Sequence, residues 1–206
     1  MTSPWRTQQA AATKRQIGLA ARRRFAADGY VATTIEAIAA EAGVAPATVY
    51  KVFGTKRAIA GALNELIDEE AGLQAFGNVL AASDDPWELL HTAVRLNRSL
   101  FEHCGDIIAA VRGAAAVEPE LAGVYAEGRR RHTAGTTFLA HRLAAMGALR
   151  DDIDPAAAAG IIGMFANEDT FAMLTAEYGW TMEHCEELLT TQVCELVLGA
   201  RRRPPS

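Results

Sequence analysis

The sequence predicts an all-α protein, and three observations carry that reading. Apolar residues recur at the three-to-four spacing of a helix, not in the alternation of a half-buried strand. Helix starts are legible: Thr13 with Gln16, Thr33 with Glu36, and Asp85-Pro86-Trp87-Glu88 each set a capping side chain before an apolar run. Helix stops are legible too, because Gly29, Gly43, Gly179 and Gly199 each follow the last periodic residue of a segment.

Taken in order, residues 1–12 read as a flexible N-terminal arm. A first helix then runs from the Thr13 cap to Gly29 on the spine Ile17, Ala21, Phe25. The second opens at Thr33, carries Ile35, Ile38, Ala39 and Ala42 on one face, and stops at Gly43. The third starts at Pro46, a residue suited to the first helical position. A fourth begins near Thr55 or Lys56 and passes Leu66. Beyond Gly72 the helices lengthen: one from Asp85-Pro86, one from Pro119 to about Met146, one from Asp154-Pro155 to Gly179, and a last from Thr181 to near Gly199. The predicted domains are 13–67 and 68–200, with the boundary in the stretch 68–84 and a frayed tail at 201–206.

Bulk composition excludes several classes. Half of the 206 residues are hydrophobic, enough for a core. The longest apolar run, 156–166, falls short of the roughly 20 residues that cross a bilayer. No signal peptide is expected, and the reading is a cytoplasmic protein. Cys104, Cys185 and Cys194 lack metal-ligand spacing and read as small core hydrophobes. A Gly-rich phosphate loop, HExxH, GxSxG and CxxC are all missing, so neither an enzyme, a cofactor nor a metal is expected.

Residues 33–53, TTIEAIAAEAGVAPATVYKVF, make a helix-turn-helix. At 100° per residue with Val49 at 0°, Val52 falls at about 300° and Phe53 at about 40°, which predicts a buried face of these three. Ala47 and Lys51 lie opposite, with Thr48 and Tyr50 on the flanks. A helix lying in the major groove needs that layout: a narrow front edge for bases and hydrogen-bonding side chains toward the phosphate walls. The charges agree. Residues 1–57 hold nine Lys/Arg against three Asp/Glu, while 58–206 hold eleven against twenty-two, so a net charge of −5 hides a basic end.

Residues 13 to about 60 resemble the DNA-binding domain of the TetR family of transcriptional repressors. Phe25, Gly29, Tyr30, Thr33-Thr34-Ile35, Ile38-Ala39, Ala42-Gly43-Val44, Thr48-Val49-Tyr50, Phe53 and Lys56 carry the resemblance. Ala45 departs from it, standing where the family usually has a polar cap. The resemblance implies an N-terminal three-helix DNA-binding domain followed by a helical ligand-binding and dimerisation domain. It implies phosphate contacts for Thr33 and Thr34 at the start of the second helix, for Thr48 and Tyr50 on the groove walls, and for Lys56. Base reading is left to Pro46, Ala47 and Lys51, with Lys51 able to reach guanine O6 or N7 and the Ala47 methyl a thymine methyl. Arg6, Lys14 and Arg15 are further candidates on the arm.

One helix-turn-helix gives little affinity, so a homodimer on a palindromic double-stranded operator is expected. Ile161, Phe165, Leu188, Leu189, Gln192 and Leu196, on helices too apolar for a one-sided surface, are the candidate dimer contacts. Trp87, His91, Phe101, Arg112, Tyr125, Phe138, Met164, Phe165, Glu168 and Phe171 mix apolar and polar character at helical spacing and are the candidate lining of a pocket for an unidentified small-molecule effector. The expected function is a ligand-responsive transcriptional regulator, a repressor released by its effector. The alternatives are a DNA-binding regulator without an inducer and an all-α enzyme.

Overall fold

The computed structural model describes residues 4–116 and 118–199. It contains helices α1 (Pro4–Ala32), α2 (Ile35–Glu41), α3 (Pro46–Phe53), α4 (Lys56–Glu70), α5 (Leu73–Ala82), α6 (Pro86–Ala115), α7 (Pro119–Ala145), α8 (Pro155–Phe165), α9 (Glu168–Tyr178) and α10 (Met182–Val197). Among the described residues there is no strand, only one isolated antiparallel bridge between Leu149 and Leu198. The all-α class is correct. The chain divides into two compact units, Met1–Ile67 with Asp106–Gly128, and Asp68–Gly105 with Arg129–Ser206.

In the first unit, α1 begins nine residues before the predicted Thr13 cap, at Pro4. Residues 4–12, expected as an arm, are therefore its opening turns. Ala10, Ala11 and Ala12 favour helix, and a helix already nucleated on the core propagates cheaply. Thr13 caps nothing; its hydroxyl donates back to Gln9 O at 3.0 Å. Helical geometry breaks at Gly29 (φ 79°, ψ 159°), where the stop was expected. Ile17, Ala20, Ala21 and Phe25 of α1 bury against Ile35, Ile38 and Ala39 of α2, Val49 of α3, and Ile59 and Leu63 of α4. Ile107, Ala114 and Leu121 complete that core from the Asp106–Gly128 segment.

The second unit buries Leu89, Leu90 and Val94 of α6, Leu139, Ala140 and Leu143 of α7, Ala158 and Ile162 of α8, Phe171 of α9, and Cys185, Leu189, Val193 and Val197 of α10. Three start signals work as written. Asp85 Oδ1 accepts from Trp87 N at 2.9 Å, Asp154 caps Ala157 N, and Thr181 caps His184 N. Two features differ from expectation. Residues 73–82, inside the predicted boundary stretch, form α5. The segment from Pro155 to Gly179 is two helices, because Ala166 leaves helical geometry (ψ 74°) and Asn167 caps a new start by accepting from Asp169 N. Cys104, Cys185 and Cys194 are free and buried. Burial pushes the Cys194 thiol up to about 12, which keeps it protonated and unreactive.

Candidate nucleic-acid interface

The turn between α2 and α3 is built by Gly43. With φ 64° it occupies the left-handed region, and Gly43 N reaches Ala40 O at 3.1 Å while Val44 N reaches Ala39 O at 3.0 Å. These two bonds satisfy carbonyls that the end of α2 would leave open. Gln16 Nε2 donates to Ala42 O at 2.6 Å and so ties α1 to the same turn. Helix α3 then starts at Pro46 behind Ala45, which offers no side-chain cap. Val49 is fully buried and Phe53 packs partly against the core, so α3 is held by one edge. Val52 does not join them. It is 37% exposed, because the inward face of so short a helix is narrower than the wheel predicted.

Outward, Pro46, Ala47 and Lys51 are exposed, Tyr50 is 50% exposed, and Thr48 is half-buried on the flank. The predicted base-facing edge and its flanking hydroxyls therefore stand on one accessible face. Thr34, not Thr33, caps α2, its Oγ1 accepting from Ala37 N at 3.1 Å. That leaves the Thr34 hydroxyl proton and the first amides of α2 for an anion.

Two predicted contacts are corrected. Thr33 is 2% exposed, and its hydroxyl is turned inward onto Gly29 O at 2.8 Å and Arg24 O at 3.2 Å. It bridges the break at Gly29 and has no face to offer DNA. Lys56 Nζ donates to Tyr30 O at 2.9 Å, Thr33 O at 2.9 Å and Val31 O at 3.3 Å, and sits 4.3 Å from the centre of the Tyr30 ring. Its three ammonium protons match three carbonyls, so Lys56 fastens the α1–α2 connection instead of extending to a phosphate. Sequence reasoning missed this because those carbonyls lie 23 to 26 residues away. The Arg22-Arg23-Arg24 run braces the same unit, through Asp106 at 2.9 Å, Glu41 at 2.7 Å and Asp28 at 2.8 Å.

The ten candidate pocket residues fall in both units. Phe171 is fully buried core. Trp87, Phe101 and Phe165 are half-buried against that core. Phe138 and Met164 are 65% and 57% exposed. Glu168 opens α9, while Arg112 and Tyr125 belong to the first unit. His91 stacks on Trp87 at 4.8 Å and meets Glu186 Oε1 at 3.0 Å. Arg98 joins the same carboxylate at 3.0 Å and also holds Glu183 and Glu102. Desolvation disfavours the Arg98 charge, but its bonds to Glu183, Glu102 and Glu186 raise its pKa beyond the ordinary value.

Polar groups that the sequence reading passed over are Thr92, Asn97 and Thr190, all buried. Asn97 interrupts the apolar stripe Leu90, Val94, Phe101, and that interruption was the available signal. Of the candidate dimer residues, Leu189 is 4% exposed inside its own unit's core and is removed from the set. Ile161 and Phe165 are partly buried on that core, Leu188 and Gln192 are half-buried, and Leu196 is 36% exposed.

Residues 17–63 match the family described as bacterial regulatory proteins, tetR family. No curated protein matches the chain in sequence. Among solved structures, one from Mesorhizobium loti assigned to the TetR-family transcriptional regulators is 24% identical, with a TM-score of 0.72 over 92% of this chain and 98% of that one. One from Saccharomonospora viridis assigned as a transcriptional regulator, in complex with choline, is 20% identical, with a TM-score of 0.71 over 92% and 99%. The transcriptional regulator FadR from Bacillus subtilis, in complex with stearoyl-CoA, is 18% identical, with a TM-score of 0.69 over 88% and 98%. At these identities the likeness is one of fold. It runs through both units, whereas the family match lies wholly within the first.

Proposed function

We propose that this chain, whose residues 17–63 match the tetR family of bacterial regulatory proteins, is a ligand-responsive transcriptional repressor that binds a palindromic operator as a homodimer. The observation that carries the reading is the α2–turn–α3 face. Gly43 sets the turn, Val49 anchors α3 from behind, and Ala47, Tyr50 and Lys51 stand exposed in front. Lys51 and Ala47, beside Pro46, read base edges in the major groove. Tyr50 and Thr48 hold phosphates on either wall, and Thr34 holds one at the start of α2.

The dimer surface is assigned to Ile161 and Phe165 of α8 with Leu188, Gln192 and Leu196 of α10. The second unit takes the effector. Support for a small organic effector comes from proteins of the same fold that hold choline and stearoyl-CoA. An effector that prefers one dimer geometry lowers operator affinity by shifting populations, with a coupling typically of about 1–3 kcal/mol. The family consists of DNA-binding regulators, which argues against an enzyme. Among the described residues no helix is long and apolar enough to cross a membrane, and the protein is assigned to the cytoplasm.

A mobility shift on the DNA flanking its own gene, with and without candidate compounds, tests the reading. Lys51→Ala with Tyr50→Phe is expected to remove the specific complex while leaving the melting temperature unchanged. A specific complex that survives the double substitution would sink the site assignment.

A further inference from the structure

Among the described residues, four buried side-chain polar atoms lack a hydrogen-bond partner: Arg24 Nε, Asn97 Oδ1, His132 Nε2 and Thr190 Oγ1. Arg24 belongs to the first unit and the other three to the second. Local movement relieves two of those three. Thr190 can swing its hydroxyl onto the carbonyl four residues back, as Thr13, Thr133, Thr175 and Thr191 do. His132 is half-buried, and a ring flip exchanges the nitrogen that faces inward. Asn97 has no such exit. It is 5% exposed on α6, and its Nδ2 donates to Ala93 O at 2.9 Å. Turning the amide over would set two oxygens against each other, so Oδ1 stays bare. A buried acceptor without a donor destabilises the fold that holds it, and such defects collect at functional sites.

We infer that Asn97 Oδ1 is the polar anchor of the effector site, and that the effector is an uncharged, mostly apolar molecule with a hydroxyl or N–H group that donates to it. The inference rests on the reading that the second unit takes an effector. Three observations fix the class of ligand. The open atom of Asn97 is an acceptor, so the ligand supplies the proton. Its neighbours on the same face of α6, Leu90, Val94 and Phe101, belong to the apolar core of the unit, so the rest of the ligand is apolar. The other buried polar residues of the unit, Thr92 and Thr190, carry no charge. Arg98, His91 and Glu186 are only partly buried and hold one another. A charged ligand beside Asn97 would therefore lose its hydration and meet no counter-charge.

The test uses the full chain and four probes that share a butylphenyl body: 4-butylphenol, 4-butylanisole, 4-butylbenzoate and 4-butylbenzylammonium. Calorimetry without DNA is expected to rank the phenol about tenfold above the anisole, which has no proton to donate. Both charged probes should bind more weakly than the anisole. In Asn97→Leu the phenol and the anisole should bind alike. The melting temperature of that variant should not fall, because leucine leaves no bare oxygen, whereas replacing a merely structural asparagine would lower it. Asn97→Ala, which adds no bulk, should show the same loss of preference. Thr190→Val should keep the full preference for the phenol.

Equal binding of phenol and anisole to the unsubstituted protein would overturn the inference. So would a phenol preference that survives both substitutions of Asn97, tighter binding of either charged probe, or failure of all four probes to bind. The underlying reading is judged separately, by mobility shift on a duplex that the chain selects from a random pool. If the phenol binds through Asn97 and no probe alters that shift, release by an effector fails while the contact stands. If a compound releases the duplex equally from the unsubstituted protein and from Asn97→Leu, the reading stands and the contact fails.

Discussion

Lys56 places its ammonium group among Tyr30 O, Val31 O and Thr33 O, and that match decides what its removal does. Lys56→Met strands carbonyls at the α1–α2 connection and should cost about 2 kcal/mol. Lys56→Arg would keep the charge without restoring the fit, because a planar fork cannot converge on three carbonyls as an ammonium does. Both substitutions should therefore lower the melting temperature and weaken the proposed DNA binding without changing its salt slope. A phosphate clamp would behave oppositely: the arginine variant would keep its binding, and the methionine variant would shallow the slope by about 1 per protomer. Gly43 makes a second residue-scale prediction. A methyl at Gly43 meets nothing within 4 Å, so Gly43→Ala is not a steric change. Its cost is the left-handed φ of 64°, about 1–2 kcal/mol, concentrated at the turn that aims α3. Thermal melts should record that loss, with affinity in the proposed DNA complex falling in parallel.

At the scale of elements, α3 lacks one support that other helices of the chain have. Helices α2, α8, α9 and α10 are each capped by a side chain at their starts, from Thr34, Asp154, Asn167 and Thr181. Ala45 has the extended backbone of a cap (φ −70°, ψ 145°) but no oxygen to offer. Ala45→Ser should therefore stabilise α3 by about 1 kcal/mol and raise the melting temperature by about 2–4 °C in a chain of this size. An unchanged melting temperature would show that Pro46 alone already fixes the start. This helix also shows what the sequence made legible. Gly43, Pro46 and Val49 act through local geometry, and spacing alone located the turn, the start and the buried edge. Val52 depended on how far the neighbouring core wraps around α3, and Thr33 on a hydroxyl turned back onto α1, neither of which periodicity encodes. The break at Ala166–Asn167 escaped for a related reason: neither Gly nor Pro marks it, and only the Asn167 cap betrays it.

Over the whole molecule, chemistry divides between the units more sharply than charge does. Cys104, Cys185 and Cys194 all lie in the second unit, as do the ion pairs of Arg98 and Arg150. The sequence placed a boundary near residue 68, yet Ile107, Ala114 and Leu121 pack in the first unit's core, a long-range contact that no local signal announces. The pH response follows from this distribution. Burial raises Cys194 to about 12 and also raises Cys185. Folding therefore favours their neutral thiols, a contribution fully present below the ordinary thiol value of about 8.5 and lost as pH climbs through the folded values. On the acid side the signs reverse. Glu183 is lowered by its own backbone amide and by Arg98, and Asp152 by Arg150, so what they contribute is present above the ordinary carboxylate range near 4 and lost below it. The second unit should thus hold a stability plateau between about pH 5 and 8.5 and weaken on both sides. Trp87 and Trp180 fluorescence in a Trp5→Phe background reads that unit alone. Cys194→Ala should start less stable at pH 7, because it leaves a void, yet lose less between about pH 9 and 12 than the parent. Equal losses in the two proteins over that range would show that the buried thiol does not govern the alkaline limb.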